Sequence, residues 1–122
     1  MKKVDIAYIA GLFDGEGDVG IYPYRATKNG KYYPKLTARI HNTNRESLDW
    51  TADKLGFGRV YRDRIGVKKS GNAAKKQAYV FMASHRTARE FLKIVRPFLI
   101  IKRNKVDDLL QQDKNYMNRN LM

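Results

Sequence analysis

The chain has 122 residues and no cysteine, and its 25 lysines and arginines against 12 aspartates and glutamates give a formal net charge of +13. This length suits one domain, residues 1–122, with a single core, and the lack of cysteine excludes disulfides and thiolate metal sites. No apolar run approaches the roughly 20 residues of a membrane span, and so large an excess of cations indicates an anionic partner such as a phosphate backbone or an anionic membrane surface.

The first predicted element is an apolar helix at about Asp5–Phe13, with Asp5 placed as its N-cap. Ala10 and Gly11 leave one side of this helix almost without side chains. Because a glycine inside a helix costs roughly 0.5–1 kcal/mol relative to alanine, Gly11 needs a structural reason, and close approach of a second backbone is the usual one. The helix is therefore predicted to pack tightly against another helix through these small residues.

Two acidic residues follow the helix and alternate with glycines. Asp14 and Glu16 stand beside Gly15 and Gly17, so their carboxylates are held where the helix is predicted to end. From Ile9 the nine residues read IAGLFDGEG, which resembles the motif of the LAGLIDADG homing endonucleases, DNA-cutting enzymes usually encoded by introns and inteins. The match includes the Ala-Gly-Leu run, both acids and the final glycine.

The resemblance implies a metal-dependent active site at Glu16. In that family the motif helices of two subunits or two repeats pack together, and the second acid of each binds a divalent metal over the DNA backbone. Glu16 is therefore expected to be a catalytic metal ligand, with the backbone carbonyl of Gly15 as a further ligand, while Asp14 is interpreted as bracing the helix pair. Without cysteine the metal must be held by oxygen, which favours Mg²⁺ or another divalent cation such as Mn²⁺.

The motif occurs once, and its copy number predicts the oligomeric state. Family members with one copy work as homodimers, whereas those with two copies are longer single chains. The chain is therefore expected to be a symmetric dimer with Gly11 near the two-fold axis. The residues assigned to the dimer interface are Ala10, Gly11, Phe13 and Asp14. Since no signal peptide precedes the motif, we expect an intracellular protein, in the cytoplasm of a prokaryote or in an organelle.

A hairpin with one apolar and one basic face is predicted between Val19 and Arg39, with its turn at Asn29-Gly30. By alternation, the residues expected to face the core are Val19, Ile21, Leu36, Ala38 and Ile40. Those expected on the outer face are Tyr22, Tyr24, Lys35, Thr37 and Arg39. Because no acid occurs between Val19 and Arg45, this basic face interleaved with tyrosines indicates nucleic acid rather than a merely solvated surface.

A second helix, capped by Thr43 or Asn44, is predicted to end at Leu55. Leu48, Ala52 and Leu55 are expected to face the core. A second hairpin follows, with strands of about Arg59–Ile65 and Gln77–Ala83. The residues expected to face the core are Val60, Ala78, Val80 and Met82. The residues expected to face outward are Arg59, Tyr61, Gln77, Tyr79 and Phe81.

The last predicted elements are helical. Thr87–Val95 has the apolar spacing of a helix packed on the core, with Ala88, Phe91, Leu92 and Val95 on one face. A further helix is predicted from Asn104 to about Tyr116, and the residues from Met117 onwards are expected to fray.

The resulting order, α-ββ-α-ββ-α with a helical tail, predicts an α+β fold in which helices cover one face of a single antiparallel sheet. The LAGLIDADG fold has this order, and its open sheet face forms a saddle for double-stranded DNA. The residues expected to contact DNA are Tyr22, Tyr24, Lys28, Lys35, Thr37, Arg39, Arg59, Tyr61, Lys75, Gln77 and Tyr79.

Three further residues are candidates for the active site. The family carries a lysine after a Pro-Phe-Leu segment, and the run from Pro97 to Lys102, PFLIIK, implies that Lys102 takes this role. For the polar residue that ends the second strand, outward parity gives His41 and the family pattern gives Asn42, which is favoured. Arg45 corresponds to an arginine at a helix start, although a length difference leaves its register open.

The function implied by the resemblance is site-specific cleavage of a long, roughly palindromic duplex. Two alternatives belong to other classes: an RNA maturase that assists intron splicing, and a non-catalytic DNA-binding regulator that retained the fold. Intact Glu16 and Lys102 favour an enzyme over the regulator, because a pure binder needs neither. A basic face serves RNA as well as DNA, so the maturase stays open.

Overall fold

The computed structural model describes residues 1–64 and 76–120. In chain order the elements are α1 (Lys3–Glu16), β1 (Gly17–Tyr24), β2 (Tyr33–Asn42), α2 (Arg45–Leu55), β3 (Arg59–Arg62), β4 (Tyr79–Ser84), α3 (Arg86–Val95) and α4 (Arg103–Asn120). A short 3₁₀ turn, Arg96–Phe98, joins α3 to the segment before α4. The four strands form one antiparallel sheet in the order β1-β2-β4-β3. The predicted α+β order is therefore confirmed.

The core lies between one face of this sheet and the helices packed on it. Phe91 of α3 joins the layers, since its ring meets the rings of Phe13 from α1 at 5.1 Å and Phe81 from β4 at 5.6 Å. Leu48 of α2 and Val106 of α4 belong to the same buried cluster. The other face of the sheet, here called the open face, carries no helix among the described residues. In those same two ranges, no helix is long and apolar enough to cross a membrane.

The β1–β2 hairpin follows the predicted alternation. Val19, Leu36, Ala38 and Ile40 are buried in the core, and Ile21 packs against it. The opposite positions carry the tyrosines and cations, so both faces of this hairpin are confirmed. The structural reason is that one face is apolar and the other polar, which leaves only one register that buries the apolar set.

The β4 strand has the reverse of its predicted orientation. Phe81 and Ala83 face the core, paired with Ile40 and Ala38 of β2, whereas Val80 and Met82 lie on the open face. Phe81 fits against Gly58, where even a Cβ atom would collide with its ring and where the backbone φ is +97°. The assignments of Tyr79 and Phe81 as outward and of Val80 and Met82 as inward are therefore wrong.

The β3 strand has its predicted orientation but different bounds. Val60 packs against the core, and Arg59 and Tyr61 pair with the open-face positions of β4. The strand ends at Arg62. The predicted extension to Ile65 reaches beyond the described residues.

The helix ends differ from prediction at three places. Lys2, not Asp5, is the N-cap of α1, and Asp5 instead accepts a hydrogen bond from the Lys2 backbone N–H at 3.2 Å. This helix also continues past Phe13 to Glu16, so both motif acids belong to its last turn. Helix α4 continues to Asn120, beyond the predicted end near Tyr116. Of the two N-cap candidates for α2, Thr43 and Asn44, Asn44 is the cap, since its side chain accepts from the Ser47 N–H at 2.8 Å.

Candidate active site

The C-terminal end of α1 brings Glu16 against the end of β2. Glu16 is exposed in the last position of the helix, and its Oε2 accepts a hydrogen bond from Asn42 Nδ2 at 2.9 Å. The amide oxygen of Asn42 in turn accepts from the Asn44 backbone N–H at 2.8 Å. The Asn42 amide therefore has a partner for its nitrogen and another for its oxygen, and these two bonds fix its orientation. The nitrogen is directed at Glu16 Oε2. Of the two residues left open at the strand end, Asn42 is the one that meets Glu16.

Asp14 binds the segment that leads into α4. Its carboxylate accepts three backbone hydrogen bonds, from Ile100 at 2.6 Å, Ile101 at 3.1 Å and Lys102 at 3.0 Å. Burial alone would raise the pKa of Asp14, but these three donors and the charge of Lys102 hold that pKa below its ordinary value. Asp14 therefore braces this loop of its own chain, and its predicted role in bracing a helix pair stays a prediction.

Lys102 lies at the same helix end as Glu16. Its Nζ donates to the backbone carbonyl of Asp14 at 2.7 Å, one of the last carbonyls of α1, and stands 5.8 Å from the Phe13 ring centre. The final carbonyls of a helix lack partners within the helix and carry the negative end of its dipole, which attracts a cation. This contact is a structural reason for a lysine here, independent of any catalytic role.

Arg45 and His41, the other two candidates, are directed to different partners. The Arg45 guanidinium lies over the Tyr79 ring at 5.4 Å, and its Nε is 3.6 Å from Asp49. His41 points to the open face, where its Nε2 is 2.9 Å from Asp18 and its Nδ1 is 3.6 Å from Asp63. Among the described contacts, neither side chain makes a hydrogen bond to Glu16.

The open face pairs its cations with tyrosine rings. Lys35 lies over Tyr24 at 4.5 Å, and in the β1–β2 connection Arg25 makes the same kind of contact with Tyr32 at 4.8 Å. The same arrangement recurs for Arg39 over Tyr22 at 5.3 Å and Arg59 over Tyr61 at 5.8 Å. Such contacts contribute about 0.5–1 kcal/mol at exposed sites and hold each cation above the sheet surface.

One acidic residue on this face escaped the sequence analysis. Asp18 follows the motif and shares the strand parity of Tyr22, a signal that alternation could have revealed. Its two carboxylate oxygens bind Arg39 Nε at 2.9 Å and His41 Nε2 at 2.9 Å. Burial would raise the pKa of Asp18, but these two bonds lower it below the ordinary value. Arg39, His41 and Asp63 line a groove of about 710 Å³ along this side of the sheet.

The residues predicted to contact DNA occupy unequal positions. Seven lie on the open face: Tyr22, Tyr24, Lys35, Thr37, Arg39, Arg59 and Tyr61. Thr37 among them is only 5% exposed, and Lys28 lies in the β1–β2 connection. Gln77 donates to the carbonyls of Asp63 and Ala78 and accepts from Arg62. Tyr79 faces the helices, so its place in this list is wrong, and Lys75 lies outside the described residues.

The predicted dimer-interface residues also fall into two groups. Ala10 and Phe13 are fully buried in the core of their own chain, and Asp14 is 9% exposed beneath the loop that it braces. These three residues pack within their own chain, and their assignment to an interface with a second chain stays a prediction. Gly11 is exposed, and a Cβ atom added there would meet nothing within 4 Å. Packing within the chain thus gives no reason for this glycine.

The oxygen atoms near Glu16 suit a hard divalent cation. One carboxylate and the carbonyl of Gly15 at a negative helix end match the few protein ligands that Mg²⁺ takes while keeping several waters. Within residues 1–64 and 76–120, no group of three or more His, Cys, Asp or Glu side chains could hold a metal.

No model of a protein family matches the sequence, and no curated protein matches it. Solved structures match the fold. The homing endonuclease I-CvuI, in complex with its target in the presence of Ca, gives a TM-score of 0.72 at 21% identity over 96% of this chain and 70% of that chain. The archaeal intron-encoded homing endonuclease I-Vdi141I, complexed with DNA, gives a TM-score of 0.71 at 18% identity over 97% of this chain and 72% of that chain.

A longer chain matches in the same way. The LAGLIDADG homing endonuclease I-SmaMI, bound to cleaved DNA, gives a TM-score of 0.70 at 13% identity over 94% of this chain and 37% of that one. The resemblance read from the motif is thus confirmed by fold: this chain has the architecture of the LAGLIDADG homing endonucleases.

Proposed function

We propose that this chain, which has the LAGLIDADG homing endonuclease fold, is a site-specific double-strand DNA endonuclease. It hydrolyses one phosphodiester bond in each strand of a long, roughly palindromic duplex. The observation that carries the proposal is the meeting of Glu16, Asn42 and Lys102 at one end of α1, beside a sheet face rich in cations and tyrosines. A carboxylate that can bind a metal, an amide that orients it and an ammonium group that can stabilise negative charge suit phosphate hydrolysis.

Each side chain at this end has a separate task. Glu16 and the carbonyl of Gly15 would hold the divalent metal, Mg²⁺ or a similar ion. Bound metal supplies Lewis-acid stabilisation of charge on the attacking and leaving oxygens. Asn42 positions the Glu16 carboxylate through the bond at 2.9 Å. Lys102 brings a positive charge near the phosphate, where a preorganised donor stabilises the negative charge that develops in the transition state.

Two copies of the chain are needed to cut both strands. The outward side of α1 carries Val4, 69% exposed, and Tyr8, 55% exposed, in line with Gly11 and Gly15. The spacing i, i+4, i+7, i+11 forms one stripe along a helix, and its two glycines allow a second backbone to approach. Tyr8 also packs edge-on against Trp50 at 5.4 Å, which extends this surface onto α2.

The segment before α4 also carries exposed apolar side chains. Ile100 and Ile101 are 83% and 74% exposed although both are anchored to Asp14 through their backbone N–H groups. Large aliphatic side chains held rigidly in water are typical of a surface that a partner covers. A two-fold pair of α1 helices would bring both copies of Glu16 together, one for each DNA strand.

The open face supports a duplex partner. Its cations lie over tyrosine rings along β1 and β2, and the formal net charge of +13 adds long-range attraction. In a two-fold dimer the same strands face both half-sites, so the target is expected to be roughly palindromic.

Cleavage of a randomised duplex library in Mg²⁺, followed by sequencing of the cut ends, tests the proposal. Once a site is found, Glu16→Gln should abolish cutting while DNA binding persists, because the amide keeps the shape but loses the charge. Glu90→Gln is the matched control, since Glu90 forms only an exposed pair with Arg86 at 2.8 Å on α3. Normal cutting by the Glu16 variant, or no cut sequence at all for the parent, would refute the assignment.

A further inference from the structure

Arg39 on β2 is held on the open face by two neighbours. Its Nε donates to Asp18 Oδ1 at 2.9 Å, and its Nη2 donates to the Tyr22 hydroxyl at 3.4 Å. The Tyr22 ring lies 5.3 Å from the guanidinium carbon. A hydrogen bond from Nε restricts rotation about the terminal side-chain bonds of this arginine. The Nη1 amine and one Nη2 hydrogen remain for a ligand, and they form the end of a planar fork.

Asp18, which grips Arg39, is itself held at both oxygens. Its Oδ2 contacts His41 Nε2 at 2.9 Å, and His41 Nδ1 lies 3.6 Å from Asp63 on the far side of β4. The row Arg39–Asp18–His41–Asp63 therefore crosses the sheet. Burial opposes both charges, but the contact with Arg39 lowers the pKa of Asp18, and the contact with Asp18 raises the pKa of Arg39. Both groups therefore stay charged.

The pairing of Arg39 with Asp18 differs from the usual environment of a cation that binds DNA phosphates. A phosphate contact needs net positive charge at the surface, but the Asp18 carboxylate largely cancels that of Arg39. What survives is a fixed plane with two parallel N–H groups. Guanine offers the complementary pair of neutral acceptors, O6 and N7, in the major groove, and a bidentate arginine is the commonest contact to them. Lysine would satisfy a phosphate equally well, but it cannot reproduce the planar fork.

We propose that Arg39 recognises a guanine in the DNA target, and that Asp18, steadied by His41, is the positioning residue that sets the plane of its guanidinium. This inference rests on the proposed function. The Arg39 side chain is 33% exposed and lines the groove of about 710 Å³ on the open face, so a base edge can reach it. In the proposed dimer the same preference recurs at the symmetry-related position of the other half-site.

The two possible roles of Asp18 predict different changes in sequence preference. If Asp18 acts only as a negative charge near the backbone of DNA, removal of the charge strengthens binding to every sequence. If it positions Arg39, the same substitution weakens the preference for guanine at one position of each half-site, while binding to unrelated sequences stays equal or rises. Lower specificity without lower general affinity is the signature of lost positioning.

The experiment is selection of bound duplexes from a randomised pool without cleavage, followed by sequencing, for the parent and three variants. Arg39→Lys keeps the positive charge but loses the planar guanidinium. Asp18→Asn removes the charge that holds Arg39, and Asp107→Asn is the control. Asp107 forms a similar Arg–Asp pair, at 2.9 Å with Arg96, away from the sheet. Arg39→Lys should reduce the guanine preference roughly 5- to 150-fold at one position, and Asp18→Asn about tenfold, while Asp107→Asn leaves every position unchanged.

The outcomes separate this inference from the function on which it rests. A parent that enriches no sequence would refute site-specific recognition itself. A parent with a clear site whose base preferences survive both Arg39→Lys and Asp18→Asn would overturn only the role given to Arg39 and Asp18. If thermal unfolding shows that Asp18→Asn does not fold, His41→Ala replaces it, because alanine has no donor and leaves Asp18 Oδ2 without its contact to His41. Unchanged preferences in that folded variant together with Arg39→Lys again overturn the proposal.

Discussion

The end of α1 and the open face of the sheet hold their polar side chains by different means. At the helix end, Asp14, Asn42 and Lys102 each make short hydrogen bonds to partners fixed by the backbone. On the open face, most cations lie over tyrosine rings at distances of 4.5 to 5.8 Å. Directed bonds specify one geometry, whereas a cation above a ring can shift with little loss.

This difference suits a division between chemistry and recognition. A reacting phosphate tolerates little displacement from the groups that stabilise its transition state, so a rigid helix end is appropriate. A long DNA surface has many contacts whose positions vary from site to site, and adaptable cations accommodate that variation. Arg39 is the exception on the open face, because Asp18 fixes it in the same manner as the residues at the helix end.

Substitution at the outward side of α1 should have the largest effect. Gly11→Leu is expected to leave the single chain folded, because nothing in it lies within 4 Å of an added Cβ atom. Overpacking against a second copy would cost about 1–3 kcal/mol at each of the two chains, and cleavage should be lost with the dimer. Sedimentation and circular dichroism check this together.

The control for this prediction is an alanine at the same position. Gly11→Ala should raise helix stability by roughly 0.5–1 kcal/mol in the single chain, because alanine orders the helix better than glycine. A Gly11→Leu protein that sediments as a dimer and cuts DNA would show that the interface lies elsewhere.

Loss of the lysine at the helix end should be the next largest effect. Lys102→Met is expected to lower the single-turnover cleavage rate by roughly 10²–10³-fold while DNA binding persists, because a preorganised donor is removed from the reacting phosphate. Lys105→Met, exposed on α4, is the matched control and should act through binding alone. If the Lys102 variant cuts at the parent rate when saturated with DNA, the role of Lys102 is structural. Its charge would then only stabilise the C-terminal end of α1.

Removal of the charge on Asp14 should lower stability. The pKa of Asp14 lies below its ordinary value of 3.8, so its carboxylate stabilises the fold above that pH, and this contribution disappears as pH falls through the folded-state pKa. Asp14→Asn should reduce the free energy of unfolding at pH 7 by about 1.5–3 kcal/mol, because three N–H groups lose a charged acceptor.

Chemical denaturation between pH 7 and pH 2 measures this effect. The variant should also lose less stability than the parent below about pH 4, since it has no Asp14 charge left to titrate. Identical acid dependence in the two proteins would mean that the three backbone bonds do not depend on that charge.

The smallest effect is expected from a single cation on the open face. Lys35→Met should weaken DNA binding alike for all sequences and reduce the slope of log affinity against log salt by about one. The cleavage rate at saturation should not change, because Lys35 lies over Tyr24 and away from Glu16. A base preference altered at one position would instead assign Lys35 to sequence readout, beside Arg39.

The sequence by itself determined the order of the elements, both faces of the first hairpin and the motif acids at one helix end. Alternation succeeds for β1 and β2 because their core positions are apolar and their outer positions are tyrosines and cations. Helical spacing succeeds for α3 for the same reason, since Ala88, Phe91, Leu92 and Val95 are all buried as predicted. The IAGLFDGEG resemblance then led from these elements to the fold.

Only the tertiary structure decided the orientation of β4, the contacts of Asp14 and the choice between His41 and Asn42. β4 is apolar on both faces, so alternation leaves two registers, and the fit of Phe81 against Gly58 and Phe91 selects one. The Asp14 bonds and the bond between Asn42 and Glu16 join residues 26 to 88 positions apart. Local periodicity carries no information at that range, because such contacts exist only once the sheet and helices have packed.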